Sequence, residues 1–282
     1  MIFYLSCTGN TQWAAEKLAK ITNDRMVSIP DAVKGDCVFH LREGERIGFC
    51  LPVHGWRVQP MVREFIEKLS FAKRQYSADT QQSSSINNYC YFLVTCGDNC
   101  GEYTDQLETL LRTKGMKVNS CCSLVMPESY VGLPGMDVDP DLKEAEKKMN
   151  ANGVVQKFSE ILVDRRSIRM HIERGATPRL YSRVLGKFFY KYLITDTRFK
   201  VDTKKCIGCG KCVKHCPVDN MQMNDNTPQW LHTGRCMTCM ACYHYCPEHA
   251  ISFWCFTKHK GQYFYSHNRS ATTRQRIEDS SK

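Results

Sequence analysis

Two runs of four cysteines constrain this chain more than any other feature. Cys206, Cys209, Cys212 and Cys216 precede Pro217, and Cys236, Cys239, Cys242 and Cys246 precede Pro247. Both runs read C-x2-C-x2-C-x3-C-P, and the second lies 30 residues after the first. Three cysteines at intervals of three wrap three irons of a cubane iron–sulfur cluster, while the fourth thiolate arrives from elsewhere. Two copies therefore imply two [4Fe-4S] clusters, and in such pairs the fourth cysteine crosses over. The expected ligand sets are Cys206, Cys209, Cys212 and Cys246 for one cluster, and Cys236, Cys239, Cys242 and Cys216 for the other.

Zinc and disulfides are the competing uses of so many cysteines. Zinc modules usually pair C-x2-C units across a longer spacer, without a third cysteine three residues on or a closing Cys-Pro. Disulfides need an oxidising compartment. Here residues 2–5 are apolar but run straight into Ser6, with no basic leader and no long apolar segment. The expectation is a cytoplasmic chain with reduced thiols and no transmembrane segment.

Residues 199–256 resemble the bacterial-type 2[4Fe-4S] ferredoxins. Met221 and Ile251 sit at equivalent places after the two Cys-Pro pairs, where they would cover the clusters with apolar surface. Residues 224–228, Asn-Asp-Asn-Thr-Pro, read as a hairpin turn. A module this small gains too little from burial alone, so the clusters are expected to hold it together as well as carry electrons.

The chain has 282 residues, enough for one further domain upstream. Residues 1–165 alternate apolar runs (2–5, 26–29, 46–51, 89–95, 117–126) with helix-like stretches (11–21, 59–70, 102–114, 141–165). Such alternation predicts an α/β fold with a five-stranded, doubly wound parallel sheet. Residues 79–88 are polar and aperiodic and read as a surface loop.

The first strand-to-helix junction is Ser6-Cys7-Thr8-Gly9-Asn10-Thr11. Hydroxyls, backbone N–H groups and a helix N-terminus there can hold an anion without a lysine. The junction lacks Gly-Lys-Ser/Thr, which disfavours ATP or GTP, and lacks G-x-G-x-x-G, which disfavours NAD. It resembles the FMN-phosphate loop of flavodoxins, which implies that role for Ser6, Thr8, Gly9, Asn10 and Thr11; Cys7 departs from the usual residue. The same side chains would also serve simply to cap a helix.

In open parallel sheets ligands sit beyond the carboxyl ends of the strands, where strand order reverses. The third strand exits into residues 52–60, which contain Pro52, His54, Gly55 and Trp56. The fourth exits into residues 95–101, which contain Cys96, Gly97, Asp98 and Gly101. Both loops resemble the ring-holding loops of the flavodoxin family, with Trp56 the expected stacking platform and His54 or Gly55 offering backbone groups. Cys96 and Cys100 read as ordinary reduced cysteines, since no cation lies nearby in sequence to lower a thiol pKa. Tyr130, after the fifth strand, reads by default as a surface tyrosine, with an approach to the flavin rim as the alternative.

Between the modules, residues 165–205 carry twelve lysines and arginines against three acids, a local +9 within a formal total of +10. Residues 178–194 space these charges between apolar residues in an amphipathic helical pattern. The main expectation is a connector packing its apolar face across the two domains. Docking of an acidic redox partner protein by electrostatic steering is the second use, and membrane-surface or nucleic-acid binding the least favoured.

The whole order resembles flavodoxin–ferredoxin fusion proteins: a flavodoxin-like FMN-binding domain at 1–165, a basic helical connector at 166–198, a 2[4Fe-4S] ferredoxin domain at 199–263 and a polar tail at 264–282. The resemblance implies electron transfer between an FMN and two clusters, as a redox carrier or oxidoreductase component. A flavin-dependent reductase of a small molecule and a non-catalytic iron–sulfur sensor are the alternatives. No catalytic acid–base set stands out in the sequence.

Overall fold

The computed structural model describes residues 1–72 and 88–266. Apart from Asn88, the polar loop expected at 79–88 lies outside the described residues, as does the tail from 268 onward.

The first half of the chain follows the expected alternation. β1 (Ile2–Tyr4) leads to α1 (Asn10–Thr22), β2 (Met26–Ser28), β3 (Ile47–Pro52) and α2 (Pro60–Lys68). Then come β4 (Cys90–Cys96), α3 (Tyr103–Thr113), β5 (Val118–Val125) and α4 (Asp141–Val163). All seven residues of β4 are buried, as a strand covered on both faces requires. Successive side chains point to opposite faces. Phe3, Phe49 and Phe92 meet Phe65 of α2 and Leu107 of α3, while Ile2, Tyr91 and Leu93 meet Leu18 of α1 and Phe158 of α4.

The sheet has six strands, not the expected five. Its order is β2-β1-β3-β4-β5-β6 and every pairing is parallel. The extra edge strand, β6 (Arg169–Met170), comes from the segment assigned to the connector. It is there because β5 would otherwise present an open edge. The Ser120 and Ser123 hydroxyls accept from the N–H groups of Ile168 (2.9 Å) and Glu173 (2.7 Å), and the Ile168 carbonyl accepts from the Cys121 N–H (3.1 Å).

The connector then forms one helical stretch, π-bonded over Leu180–Leu185, α-bonded over Gly186–Phe188 and π-bonded again over Phe189–Leu193. The amphipathic helix is present, but most of its apolar side is not packed. Ser182, Gly186 and Phe189 face inward, while Leu180, Val184, Leu185, Phe188 and Tyr192 are exposed. Contact is made by the small face because the approach is too close for side chains. A Cβ on Gly186 would lie 2.7 Å from the Gly55 carbonyl oxygen, and one on Gly55 would lie 2.5 Å from the Phe189 ring.

The C-terminal module runs β7 (Phe199–Val201), α5 (Lys211–Lys214), β8 (Met221–Asn224), β9 (Thr227–Trp230), α6 (Ala241–His244) and β10 (Ile251–Phe253). β8 and β9 form the expected hairpin, with Asp225 and Asn226 at φ 44° and 60°, the left-handed pair that a two-residue turn favours. β10 returns to pair antiparallel with β7, closing the two repeats on each other. The 30-residue repeat extends to the backbone: Gly208 and Thr238, Gly210 and Met240, and Asp219 and His249 are all left-handed. Met221 and Ile251 are buried with Phe199 and Phe253, as their equivalent positions predict.

Two parts of the interface were not anticipated. Val131, in the loop after β5, is buried in the core of the C-terminal module. Phe264 and Tyr265, placed by sequence in the polar tail, are packed instead: Tyr265 stacks on Trp13 at 5.1 Å and Phe264 on Tyr245 at 4.6 Å. Two aromatic residues gain more from such burial than from solvent.

Gly48 of β3 tests the sheet's packing, since a Cβ there would overlap the fully buried Tyr91 ring. Gly48→Ala is expected to cost about 1–3 kcal/mol, read as a lower urea midpoint; an unchanged midpoint would contradict the packing.

Candidate functional site

The carboxyl ends of β1, β3, β4 and β5 open into one cleft with two contiguous lobes. The first is lined by Ser6, Cys7, Thr8, Asn10 and Thr11 from the β1–α1 junction, by Pro52, His54, Thr95, Cys96 and Gly97, and by residues 126–130. Its far wall is Met237 and Cys239 of the second cysteine run. The second lobe shares Val53, His54, Cys96, Gly97, Glu128 and Tyr130 with the first and adds Gly55, Trp56, Asp98, Asn99 and Phe189.

The β1–α1 junction is tightly held. Gly9 precedes α1 at φ 92°, a conformation open to glycine at little cost. The Thr11 hydroxyl pairs with that of Thr95 at 2.7 Å. The Asn10 side chain donates to the Pro127 carbonyl at 3.0 Å and accepts from the Tyr263 hydroxyl at 2.5 Å. The Thr8 carbonyl accepts from the Tyr265 N–H at 2.8 Å. The Ser6 hydroxyl, by contrast, is buried without a partner, and so are His54 Nε2 and the Tyr130 hydroxyl in the same cleft. Buried polar atoms left unpaired are costly in a finished interior, and three facing one cleft fit a polar ligand.

Electrostatics follow from burial. Desolvation pulls the His54 pKa down to about 4, so the imidazole is neutral. Burial raises the Glu128 carboxyl above its ordinary value, against the opposing pull of the Tyr130 and Ser129 N–H groups. Desolvation lifts the Cys100 thiol to about 11 and that of Cys96 well above the usual range, in keeping with ordinary reduced thiols.

Two sequence expectations are corrected. Trp56 lines the second lobe, but its ring stacks on Tyr181 of the connector at 5.3 Å and its Nε1 donates to Asn99 at 2.9 Å. Gly101 does not line the cleft: a Cβ there would meet the Ser182 hydroxyl at 2.6 Å and the Trp56 side chain at 3.3 Å. Tyr181 and Ser182 of the connector helix pack against these two residues. His54, Tyr130 and Phe189 instead form a ring cluster, with centroids 5.3–5.9 Å apart. Glu128 and Ser129 lie beside the anticipated Tyr130 at the exit of β5, so the strand-exit rule that singled out residues 52–60 and 95–101 could have found them too.

In the C-terminal module Cys206, Cys209, Cys212 and Cys246 line one cavity together, with Met223 and Ile251. Cys216 lies electrostatically close to Cys236 and Cys242, and Cys239 to Cys216. Among the described residues no group of His, Cys, Asp or Glu closes on a single-ion site; these thiols surround a cavity instead. Burial raises Cys212 to about 11 and Cys236 to about 12, so their thiolates need a bound cation to form. Backbone N–H groups reach the sulfurs at equivalent places, Asn220 to Cys216 at 3.3 Å and Ala250 to Cys246 at 3.2 Å.

The two sites touch. Cys7 and Cys239 line the same lobe of the cleft, and the nearby Cys7 thiol helps to raise the Cys239 pKa, bringing the β1–α1 loop up to the second cysteine run. At the opposite end Cys209 is exposed, and the neighbouring Ile207 is 64% exposed.

Residues 198–247 match the family model described as a 4Fe-4S dicluster domain. The chain thus carries an iron–sulfur cluster-binding module suited to electron transfer, attached to a parallel α/β domain. No curated protein matches the chain. Among the described residues no helix is long and apolar enough to cross a membrane.

The raised pKa of Glu128 has a consequence for stability. A carboxyl harder to ionise folded than unfolded favours folding below its unfolded value of about 4.5 and loses that contribution as pH rises through the folded value. Glu128→Gln should therefore raise the melting temperature most at neutral pH, with the gain shrinking as pH falls toward about 4.5 and gone below it. A gain that is constant with pH would contradict a buried carboxyl.

Proposed function

We propose that this chain binds FMN in the two-lobed cleft and two [4Fe-4S] clusters in the C-terminal module, and passes electrons between them as a redox carrier or oxidoreductase component. The observation that carries the reading is the shared wall: Cys239, a ligand of the second cluster in this scheme, lines the cleft beside the Cys7 thiol.

The order β2-β1-β3-β4-β5 supports a flavodoxin-like domain, with the ligand at the switch between β1 and β3. The Ser6 hydroxyl and the unpaired first-turn N–H groups of α1 would hold the phosphate. His54, Gly55, Gly97 and Tyr130 would bound the ring, with Glu128 holding a proton at its carboxyl. FMN supplies a carrier of one or two electrons, where each cluster exchanges one.

Cys206, Cys209, Cys212 and Cys246 would hold the outer cluster, where Cys209 is exposed. Cys236, Cys239, Cys242 and Cys216 would hold the inner one against the cleft. The N–H groups on Cys216 and Cys246 would tune the potentials, as hydrogen bonds to sulfur do.

Anaerobic reconstitution with iron, sulfide and flavin analysis tests the scheme. The expected contents are about eight irons and about eight sulfides for two cubanes, with about one FMN per chain. Full clusters without FMN would overturn the flavin half. Cys209→Ala should remove about half the iron, and Ser6→Ala should weaken FMN binding about ten-fold, the worth of one charged hydrogen bond.

A further inference from the structure

The connector helix leaves an apolar ridge uncovered. Leu180, Val184, Phe188 and Tyr192 recur every four residues and are 47%, 56%, 54% and 51% exposed. π-type bonding pairs residue i with i+5 and so widens the turn beyond the about 3.6 residues of an α-helix. Alternating the two bonding patterns keeps a four-residue repeat near one line.

A second line runs beside the first. Arg179, Arg183, Lys187 and Lys191 each precede one of the four apolar residues, and all four are exposed. Arg183 is held by Glu102 through bonds of 2.8 and 2.9 Å. Arg179, Lys187 and Lys191 form no ion pair among the described residues. Residues 174–195 contain no Asp or Glu, and Arg57 and Arg63 border the groove that Lys187 and Lys191 overhang.

We propose that this helix lies in the headgroup layer of an anionic bilayer, with the Leu180-to-Tyr192 ridge turned into the acyl boundary and the Arg–Lys line at the lipid phosphates. An in-plane helix of this kind needs an apolar face, a basic flank and aromatic residues. All three are present: Phe188 and Tyr192 pack at 5.0 Å, and Lys191 lies 5.1 Å from the Tyr192 ring, its stem along the ridge and its ammonium free to reach upward. The opposite side of the helix, through Ser182, Gly186 and Phe189, is fixed to the protein, so the ridge is convex. A convex apolar ridge with a cationic border fits a fluid surface that supplies apolar depth and negative charge together. An acidic protein would have to offer a groove of matching length lined by carboxylates.

Flotation of the reconstituted full chain with vesicles tests this. The chain should float with phosphatidylcholine vesicles containing phosphatidylglycerol, be released by salt, and bind pure phosphatidylcholine far less. Phe188→Trp should shift its emission to the blue on the anionic vesicles. Lys187→Gln with Lys191→Gln should weaken binding about thirty-fold, from about 1 kcal/mol per cation at the surface. Val184→Glu with Phe188→Glu should abolish flotation while iron content stays at the parent level. Equal binding to neutral vesicles, an unshifted Phe188→Trp emission or undiminished flotation of either double variant would overturn the proposal. So would absence of flotation, including the case in which the helix binds an acidic protein instead.

Discussion

The meeting of Cys7 with Cys239 is the constraint around which the molecule is arranged. A residue just past β1 and a residue inside the second cysteine run can touch only if the C-terminal module sits across the carboxyl edge of the parallel sheet. The loop after β5 provides the seat. The Ser129 carbonyl meets the His244 ring at 2.6 Å, the Val131 carbonyl accepts from Lys260 at 2.9 Å and Asp137 accepts from the Gly261 N–H at 3.0 Å. Cross-module ion pairs such as Lys34–Asp219 at 2.8 Å and Arg235–Glu64 at 3.2 Å lie at the surface, where such pairs contribute little. Buried Val131 and the part-buried bonds of the Ser129 and Val131 carbonyls therefore carry more of the alignment.

This placement gives the cleft walls of different kinds. The sheet side supplies hydroxyls and helix-terminal N–H groups. The loop after β5 supplies a carboxyl biased toward its protonated form and a phenol without a partner, and the far side supplies sulfur. Neutral His54 and the raised carboxyl of Glu128 both report low polarity around them, and charge–charge effects act more strongly there than in water. The asymmetry at the cysteines points the same way, with Cys209 exposed and Cys239 half-buried in the cleft wall.

Much of this was legible in the sequence because the signals were local and periodic. Apolar runs alternating with helix-like stretches marked β1 to β5, and the cysteine spacing marked both repeats down to the positions of Met221 and Ile251. The hydroxyl-rich stretch marked the β1–α1 loop. What failed to show depended on partners distant in the chain. Two residues, Arg169 and Met170, are too few for a strand signal, and they pair only because Ser120 and Ser123 present hydroxyls to the flanking N–H groups. Trp56 was recognised as an aromatic at a strand exit, but nothing local says that Tyr181 will cover it. The connector's amphipathic pattern was read correctly as a helix and wrongly as packed, because pattern identifies an apolar side without saying that the glycine side makes the contact. Phe264 and Tyr265 were lost in a polar tail because two aromatics carry no period.

Tyr263 binds Asn10 across a span of 253 residues, and Tyr265 binds Thr8 across a slightly longer one. Closing so long a loop costs chain entropy that local contacts do not repay, so these contacts depend on both modules being folded already. The β1–α1 loop thus receives its last partners from the far side of the C-terminal module. The mouth of the cleft is accordingly locked from outside by an aromatic segment whose grip exists only while both modules hold their places.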